Sequence, residues 1–415
     1  MAIVLVSTDF TTNGVAANLA ANTLTWILAG AVRVSTATAG AANVVTSTAC
    51  EVRVDGTVAG ELGGIRLLGS ATAFDHVVTV GQTGLVLANR GVGVDIQGAN
   101  ANIVNQGTIT ARFDGIHTNG IATHIQNYGT ILSTATELGA SFGLALTGGQ
   151  ALIENFGTIS SSTQAGAGIN LATNGAAPGS RVENHGIIIG FDRSVLGSAA
   201  DDVLVNAGTL IGTADLGAGR DLYDGAGGTA TSVWGVRGGG GDDTLRGGDG
   251  ADVLRGDAGN DLLQGRDGVD SLDGGDGNDR VCGMGGSDTV AGGLGNDRIL
   301  GFNDDDVVDG GGGFDLMTGG QGSDVFLFLS AADIGVLAGA RDAITDFNSG
   351  ADQIDLSAIG GLTFIKGQVF GNVAGQARYA TTTGQLQIDL DGNGNADAVL
   401  DLGVGTLLLR SDLLL

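Results

Sequence analysis

Gly274-Gly275-Asp276-Gly277-Asn278-Asp279-Arg280-Val281-Cys282 carries the pattern that decides the fold: two glycines, a spacer, a third glycine, a spacer, aspartate, then an apolar residue flanked by two free positions. Ten such nonapeptides follow one another without a gap, beginning at Gly238, Gly247, Gly256, Gly265, Gly274, Gly283, Gly292, Gly301, Gly310 and Gly319. The sixth position is aspartate in every copy: Asp243, Asp252, Asp261, Asp270, Asp279, Asp288, Asp297, Asp306, Asp315 and Asp324. The eighth is apolar in every copy: Leu245, Leu254, Leu263, Leu272, Val281, Val290, Ile299, Val308, Met317 and Phe326. Glycine permits a sharp turn with positive φ, and the last three positions make a minimal strand with its central side chain inward.

Two copies close one coil, so turns eighteen residues apart stack on one edge. Asp243, Asp261, Asp279, Asp297 and Asp315 form one column, and Asp252, Asp270, Asp288, Asp306 and Asp324 a second. Carboxylates stacked at strand spacing repel one another. A hard divalent cation between turns removes that repulsion, and carbonyls exposed by glycine complete an all-oxygen shell, which points to several Ca²⁺ ions. Mg²⁺ fits less well, because it demands a tighter octahedron. The expected metal residues are the ten aspartates with Gly238, Gly241, Gly247, Gly250, Gly256, Gly259, Gly265, Gly268, Gly274, Gly277, Gly283, Gly286, Gly292, Gly295, Gly310 and Gly313. The aliphatic core is too thin to fold against this charge, so metal binding and folding are one event. Asp257, Arg266, Met284 and Phe302 replace the second glycine and Asp304 the fourth-position glycine, and the turn of residues 301–309 departs furthest. Weaker copies surround Asp202 and Asp221.

The ten copies resemble the RTX (hemolysin-type) repeats of type I secreted proteins. The resemblance implies a parallel β-roll, calcium in its turns, and export through a type I transporter directed by an uncleaved C-terminal signal. Residues 324–328, 342–347 and 350–357 resemble the β-sandwich tail of serralysin-type proteins, which implies a cap on the roll followed by the signal. Asp389-Leu390-Asp391-Gly392-Asn393-Gly394 matches half of an EF-hand but has Leu400 where the bidentate glutamate falls. A hairpin turn and an additional calcium site both suit it.

Upstream, residues 50–212 carry a looser repeat around Asn-x-Gly-Thr-Ile, at Asn105, Asn127, Asn155, Asn184 and Asn206. The interval is that of one coil of a parallel β-solenoid, with the asparagines laddered at tight corners. Residues before 50, among them Trp26, Ile27 and Leu28, are expected to cap it. The fold class is therefore all-β: a parallel β-solenoid over 1–212, a transition over 213–237, a calcium-binding β-roll over 238–327, and a C-terminal β-sandwich cap with secretion signal over 328–415.

The chain has 415 residues, 78 glycines, one proline and a net charge of −27, of which roughly −23 falls after residue 200. An acidic half of that size argues against nucleic acid or an anionic membrane as partner. No apolar run is long enough to span a bilayer, and the start lacks the basic region of a signal peptide. Cys50 and Cys282 read as free thiols.

His76, His117, His124 and His185 are scattered without a His-Glu-x-x-His, which excludes a serralysin-like zinc protease. Gly139-Ala140-Ser141-Phe142-Gly143 fits a nucleophile elbow but lies inside the solenoid repeat. Of the few acidic residues (Asp75, Asp95, Asp114, Glu137, Glu154, Glu183), Asp114 with His117 is the best catalytic pair, with a polar corner as the alternative reading. The leading expectation is a non-enzymatic extracellular protein, structural or adhesive at the cell surface, whose partners are calcium, the transporter, and cell-surface polysaccharide or its own copies. A polysaccharide epimerase or lyase acting on the solenoid face is the alternative.

Overall fold

The computed structural model describes residues 24–26, 30–38, 42–45, 50–60, 63–68, 75–98, 100–120, 122–134, 140–163, 166–171, 179–225, 227–231, 235–335 and 341–415. The chain divides into two compact units, Met1–Val236 and Arg237–Leu415. Among the described residues the strands of the first unit pair in parallel, and those of the second do so except in a C-terminal antiparallel meander.

In the first unit a coil consists of three short strands, exemplified by Ala122–Asn127, Thr130–Ser133 and Leu144–Leu146. Each strand pairs in parallel with its counterpart one coil away, so equivalent side chains stack. Val78, Ile103, Ile125, Ile153, Val182 and Leu204 form one interior row. Val86, Ile109, Ile131, Ile159, Ile188 and Leu210 form the second. Val94, Ile116, Leu144, Ile169 and Val195 belong to the third. All are buried, and each contributes roughly 1.5–3 kcal/mol of burial. Strands Leu24–Trp26, Gly30–Thr38 and Ala42–Val45 already join parallel ladders. Ile27 and Leu28, named for the end cap, lie outside the described residues.

The corner Asn-x-Gly has a packing cause at both ends. A Cβ on Gly129 would stand 2.0 Å from the Gly107 carbonyl oxygen, and one on Gly157 2.0 Å from that of Gly129, so a side chain is excluded by the neighbouring coil. The asparagines are fully buried. Asn105 Nδ2 donates to Asn127 Oδ1, Asn127 to Asn155, Asn155 to Asn184 and Asn184 to Asn206, each at 2.8 Å. The expected ladder is therefore present, and Asn127, Asn155 and Asn184 each both accept from one neighbour and donate to the next.

In the second unit the nonapeptide strands form two interior rows. Leu245, Leu263, Val281, Ile299, Met317 and Ile344 stack on one side. Leu254, Leu272, Val290, Val308, Phe326 and Ile354 stack on the other. The roll pairing thus runs past residue 327, where the nonapeptides end, through Ala343–Ile344 and Gln353–Asp355. Beyond it, Gln376–Ala380, Gln385–Asp389 and Ala398–Asp401 form an antiparallel meander, and Leu413 pairs alongside Ile354.

Asn155→Ala removes two buried ladder bonds and leaves their partners unsatisfied. It is expected to destabilise the first unit by about 1–3 kcal/mol, read as a lower urea midpoint; an unchanged midpoint would remove the ladder from the account.

Candidate metal centre

The two aspartate columns are assembled by the backbone. Each aspartate main-chain N–H donates to the Oδ1 of the aspartate one coil later: Asp243 to Asp261, Asp261 to Asp279 and Asp279 to Asp297 at 2.7 Å, and Asp297 to Asp315 at 2.8 Å. The second column repeats this from Asp252 to Asp270, Asp288, Asp306 and Asp324, at 2.8 to 3.0 Å. Both columns continue beyond the repeats. Asp315 N–H donates to Asp342 Oδ1 at 2.9 Å, and Asp324 N–H to Asp352 Oδ1 at 3.2 Å. Asp342-Ala343-Ile344 and Asp352-Gln353-Ile354 keep the aspartate-spacer-apolar signature. An inserted segment breaks the nine-residue count, which is why counting alone missed them.

One oxygen of each carboxylate is thereby used, and the other faces inward. The Oδ2 atoms of Asp261, Asp270, Asp279, Asp288, Asp297, Asp306, Asp315, Asp324 and Asp342 are buried and receive no hydrogen bond. Each sixth-position Oδ2 folds back over the first glycine of its own copy. A Cβ on Gly256, for instance, would lie 2.2 Å from Asp261 Oδ2, and one on Gly274 2.4 Å from Asp279 Oδ2. First-position glycine is thus required by space, not by positive φ as the turn chemistry alone suggested. Positive φ belongs to the second and fourth positions, and the residues that replace glycine there adopt it too: Asp257 (71°), Arg266 (79°), Met284 (86°), Phe302 (85°) and Asp304 (70°). Each costs about 1–2 kcal/mol, so the turn shape is imposed by the stack, including in the 301–309 turn.

A few aspartates close differently. Asp202 Oδ2 accepts from Ser198 N–H at 2.9 Å, Asp252 Oδ2 from Gly248 N–H at 2.6 Å, and Asp352 Oδ2 from Asn348 N–H at 2.7 Å, always four residues upstream. These turns satisfy their carboxylate from within.

Desolvation by burial, reinforced by neighbouring aspartates, raises the open carboxyls far above the ordinary aspartate range. Asp261, Asp270, Asp306 and Asp342 are pushed to about 7 and Asp315 to about 8. Asp279 and Asp297 reach about 6, with burial again the first cause. Nine buried carboxylate oxygens without a donor, divided between two columns beside glycine turns, present the all-oxygen chemistry that a hard cation takes.

The remaining acidic clusters are built otherwise. Asp389, Asp391 and Asp397 bring carboxylate oxygens within 4.8 Å of one another. Asp389, however, accepts from Gly392 and Gly394 N–H, and Asp397 from Leu390 and Asp391 N–H, so these oxygens already hold a hairpin loop together. In the first unit His117 Nδ1 lies 3.0 Å from Asp95 Oδ1 and its Nε2 3.2 Å from Thr147 Oγ1, while Arg66 pairs with Asp95 at 3.1 Å. Asp114, the partner expected for His117, instead accepts from Phe142 N–H at 2.9 Å. The true partner sits 22 residues away, one coil back, where the register Asp95↔His117 places it. Ser141 of the elbow-like motif is buried, so it is not presented as an exposed nucleophile. Among the described cysteines Cys282 is free and buried; the side chain of Cys50 lies outside the described residues.

The model of the family described as Peptidase M10 serralysin C terminal matches residues 192–415. Among solved structures, the chain is similar to the solution structure of the AlgE6R3 subunit from the Azotobacter vinelandii mannuronan C5-epimerase, at 23% identity over 42% of this chain and 77% of that one, with a TM-score of 0.21. No curated protein matches the chain.

The raised carboxyl values set the pH response of the metal-free fold. The folded state binds more protons than the unfolded chain between about pH 4 and 8, so this stabilisation is full at acid pH and is lost as pH rises through 6 to 8. Metal-free protein is expected to gain β signal in far-ultraviolet circular dichroism on acidification from pH 8 to 5; a signal that falls would contradict the assignment.

Proposed function

The chain belongs to the peptidase M10 serralysin C-terminal family, and from that membership we propose that it is a secreted calcium-binding repeat protein with a structural or adhesive role at the cell surface. The observation that carries the reading is the pair of aspartate columns with nine inward oxygens that lack a donor. Ca²⁺, when bound, neutralises the facing carboxylates of successive turns. The chain's part is to aim them: main-chain N–H groups fix Oδ1 and so turn Oδ2 inward, and first-position glycines leave the room. Oδ2 of Asp261, Asp279, Asp297, Asp315 and Asp342, with Asp243 at the head, serve one column. Oδ2 of Asp270, Asp288, Asp306 and Asp324 serve the other, with backbone carbonyls of the glycine turns alongside.

Extracellular calcium modules work at roughly 10⁻⁴–10⁻³ M. A roll tuned to that range stays unfolded in the low-calcium cytoplasm, passes a type I transporter as an extended chain, and folds outside. The first unit then supplies the working surface. Its outer face carries Thr108, Thr130 and Thr158 in register from coil to coil, followed by Ile187 and Thr209 in the same row. Tyr128, Phe156 and His185 stack beside it with ring centroids 5.0 and 4.9 Å apart. Such a periodic surface suits cell-surface polysaccharide or further copies of the chain.

A second reading, an enzyme acting on polysaccharide, is favoured by one observation: His117 is held between Asp95 and Thr147 on the solenoid. Incubation of the calcium-loaded protein with polyuronates decides between the two. No unsaturated or epimerised product is expected; turnover lost in Asp95→Asn or Asp114→Asn would establish the enzyme.

Addition of Ca²⁺ to metal-free protein at pH 7.5 is expected to raise β content, with Mg²⁺ ineffective at equal concentration. Asp288→Asn should shift the calcium midpoint upward about tenfold or more, equivalent to about 1.4 kcal/mol per tenfold. A spectrum indifferent to calcium would overturn the reading.

A further inference from the structure

One turn of the roll is built unlike the others, and an arginine from the next coil reaches into it. In the turn Gly247–Asp252, the fourth-position Gly250 lies outside the left-handed region, whereas Gly241, Gly259, Gly268, Gly277, Gly286 and Gly295 all lie within it, with φ between 113° and 146°. Asp252 Oδ2 is already satisfied by Gly248 N–H at 2.6 Å, in contrast to its neighbours in the same column. From the next coil on that edge, Arg266 reaches back, and its Nη1 donates to the Gly247 carbonyl oxygen at 2.7 Å.

Gly247 is the residue over which Asp252 Oδ2 folds: a Cβ there would lie 2.5 Å from Oδ2 and 2.4 Å from the Gly265 carbonyl oxygen. The guanidinium therefore binds a carbonyl at the point where carboxylate and glycine carbonyls of two turns converge. Its positive charge also acts on Asp252, holding that carboxyl lower than burial alone would. Arg266 adopts φ of 79° to do so, at a position where glycine is the repeat's own residue.

We propose that the turn Gly247–Asp252 takes no calcium ion, and that the guanidinium of Arg266 supplies the positive charge of that position. A fixed cation, permanently attached, makes this the one turn of its column within the repeats that closes without metal. It gives the second column of the roll a preformed first turn on which its calcium-filled turns stack.

The inference rests on the calcium reading above, and counting ions separates the two. The full-length protein is loaded with Ca²⁺, and bound calcium per chain is measured by equilibrium dialysis and native mass spectrometry for wild type, Asp252→Asn and Arg266→Gly. The Arg266→Gly variant restores the repeat's own glycine at a positive φ, so its folding is favoured. Asp252→Asn is expected to keep the wild-type count, and Arg266→Gly to bind one ion more. An ion lost in Asp252→Asn, or an unchanged count in Arg266→Gly, would overturn the assignment of Arg266 while leaving the calcium reading intact. A wild-type chain that binds no calcium would overturn both.

Discussion

Everything in the roll depends on how one carboxylate is divided between two neighbours. The backbone takes Oδ1 of each aspartate as the acceptor that holds successive coils in register, and the pitch of parallel strands then leaves Oδ2 buried against a glycine of its own turn. A carboxylate so placed has lost its water and faces others of the same sign. Only protonation or an opposing positive charge makes the arrangement stable. Calcium, the raised carboxyl values and the arginine that reaches the Gly247–Asp252 turn are three answers to the same electrostatic demand.

The asparagine ladder of the first unit shows what that demand amounts to. Asn127 and Asp279 occupy comparable posts, each at a glycine corner, each taking a hydrogen bond from a coil neighbour. The amide, however, carries its own donor. Asn127 Nδ2 passes a hydrogen bond to Asn155, and the column runs neutral from Asn105 to Asn206, where only the last amide nitrogen is left without an acceptor. The carboxylate carries none, so its column stays open at every step. Exchange of one atom, nitrogen for oxygen, separates a solenoid that is self-sufficient from a roll that is conditional. Asp202 and Asp252 stand between the two, with a carboxylate satisfied by local N–H groups.

Much of this was legible in the residues. The nine-residue period fixed the strand, the turn and the two columns, and the Asn-x-Gly-Thr interval fixed the coil of the first unit, because parallel stacking turns a period in sequence directly into a neighbour in space. What could not be read was whatever breaks the count or depends on a single turn. Asp342 and Asp352 extend the columns across an insertion that hides their register. Asp95 is bound to His117 by coil spacing, not by proximity in the chain. The exceptional turn of Asp252 looks like every other copy until the hydrogen bonds are traced.

Amide hydrogen exchange across residues 238–327 at pH 8, with and without calcium, tests the central claim most directly. The main-chain N–H groups of Asp261, Asp279, Asp297 and Asp315 should be strongly protected with calcium and exchange as in an open chain without it, while those of the Asn-ladder strands stay protected throughout. Equal protection of the aspartate amides in both states would mean that the columns hold against their own charge, and the account would be wrong.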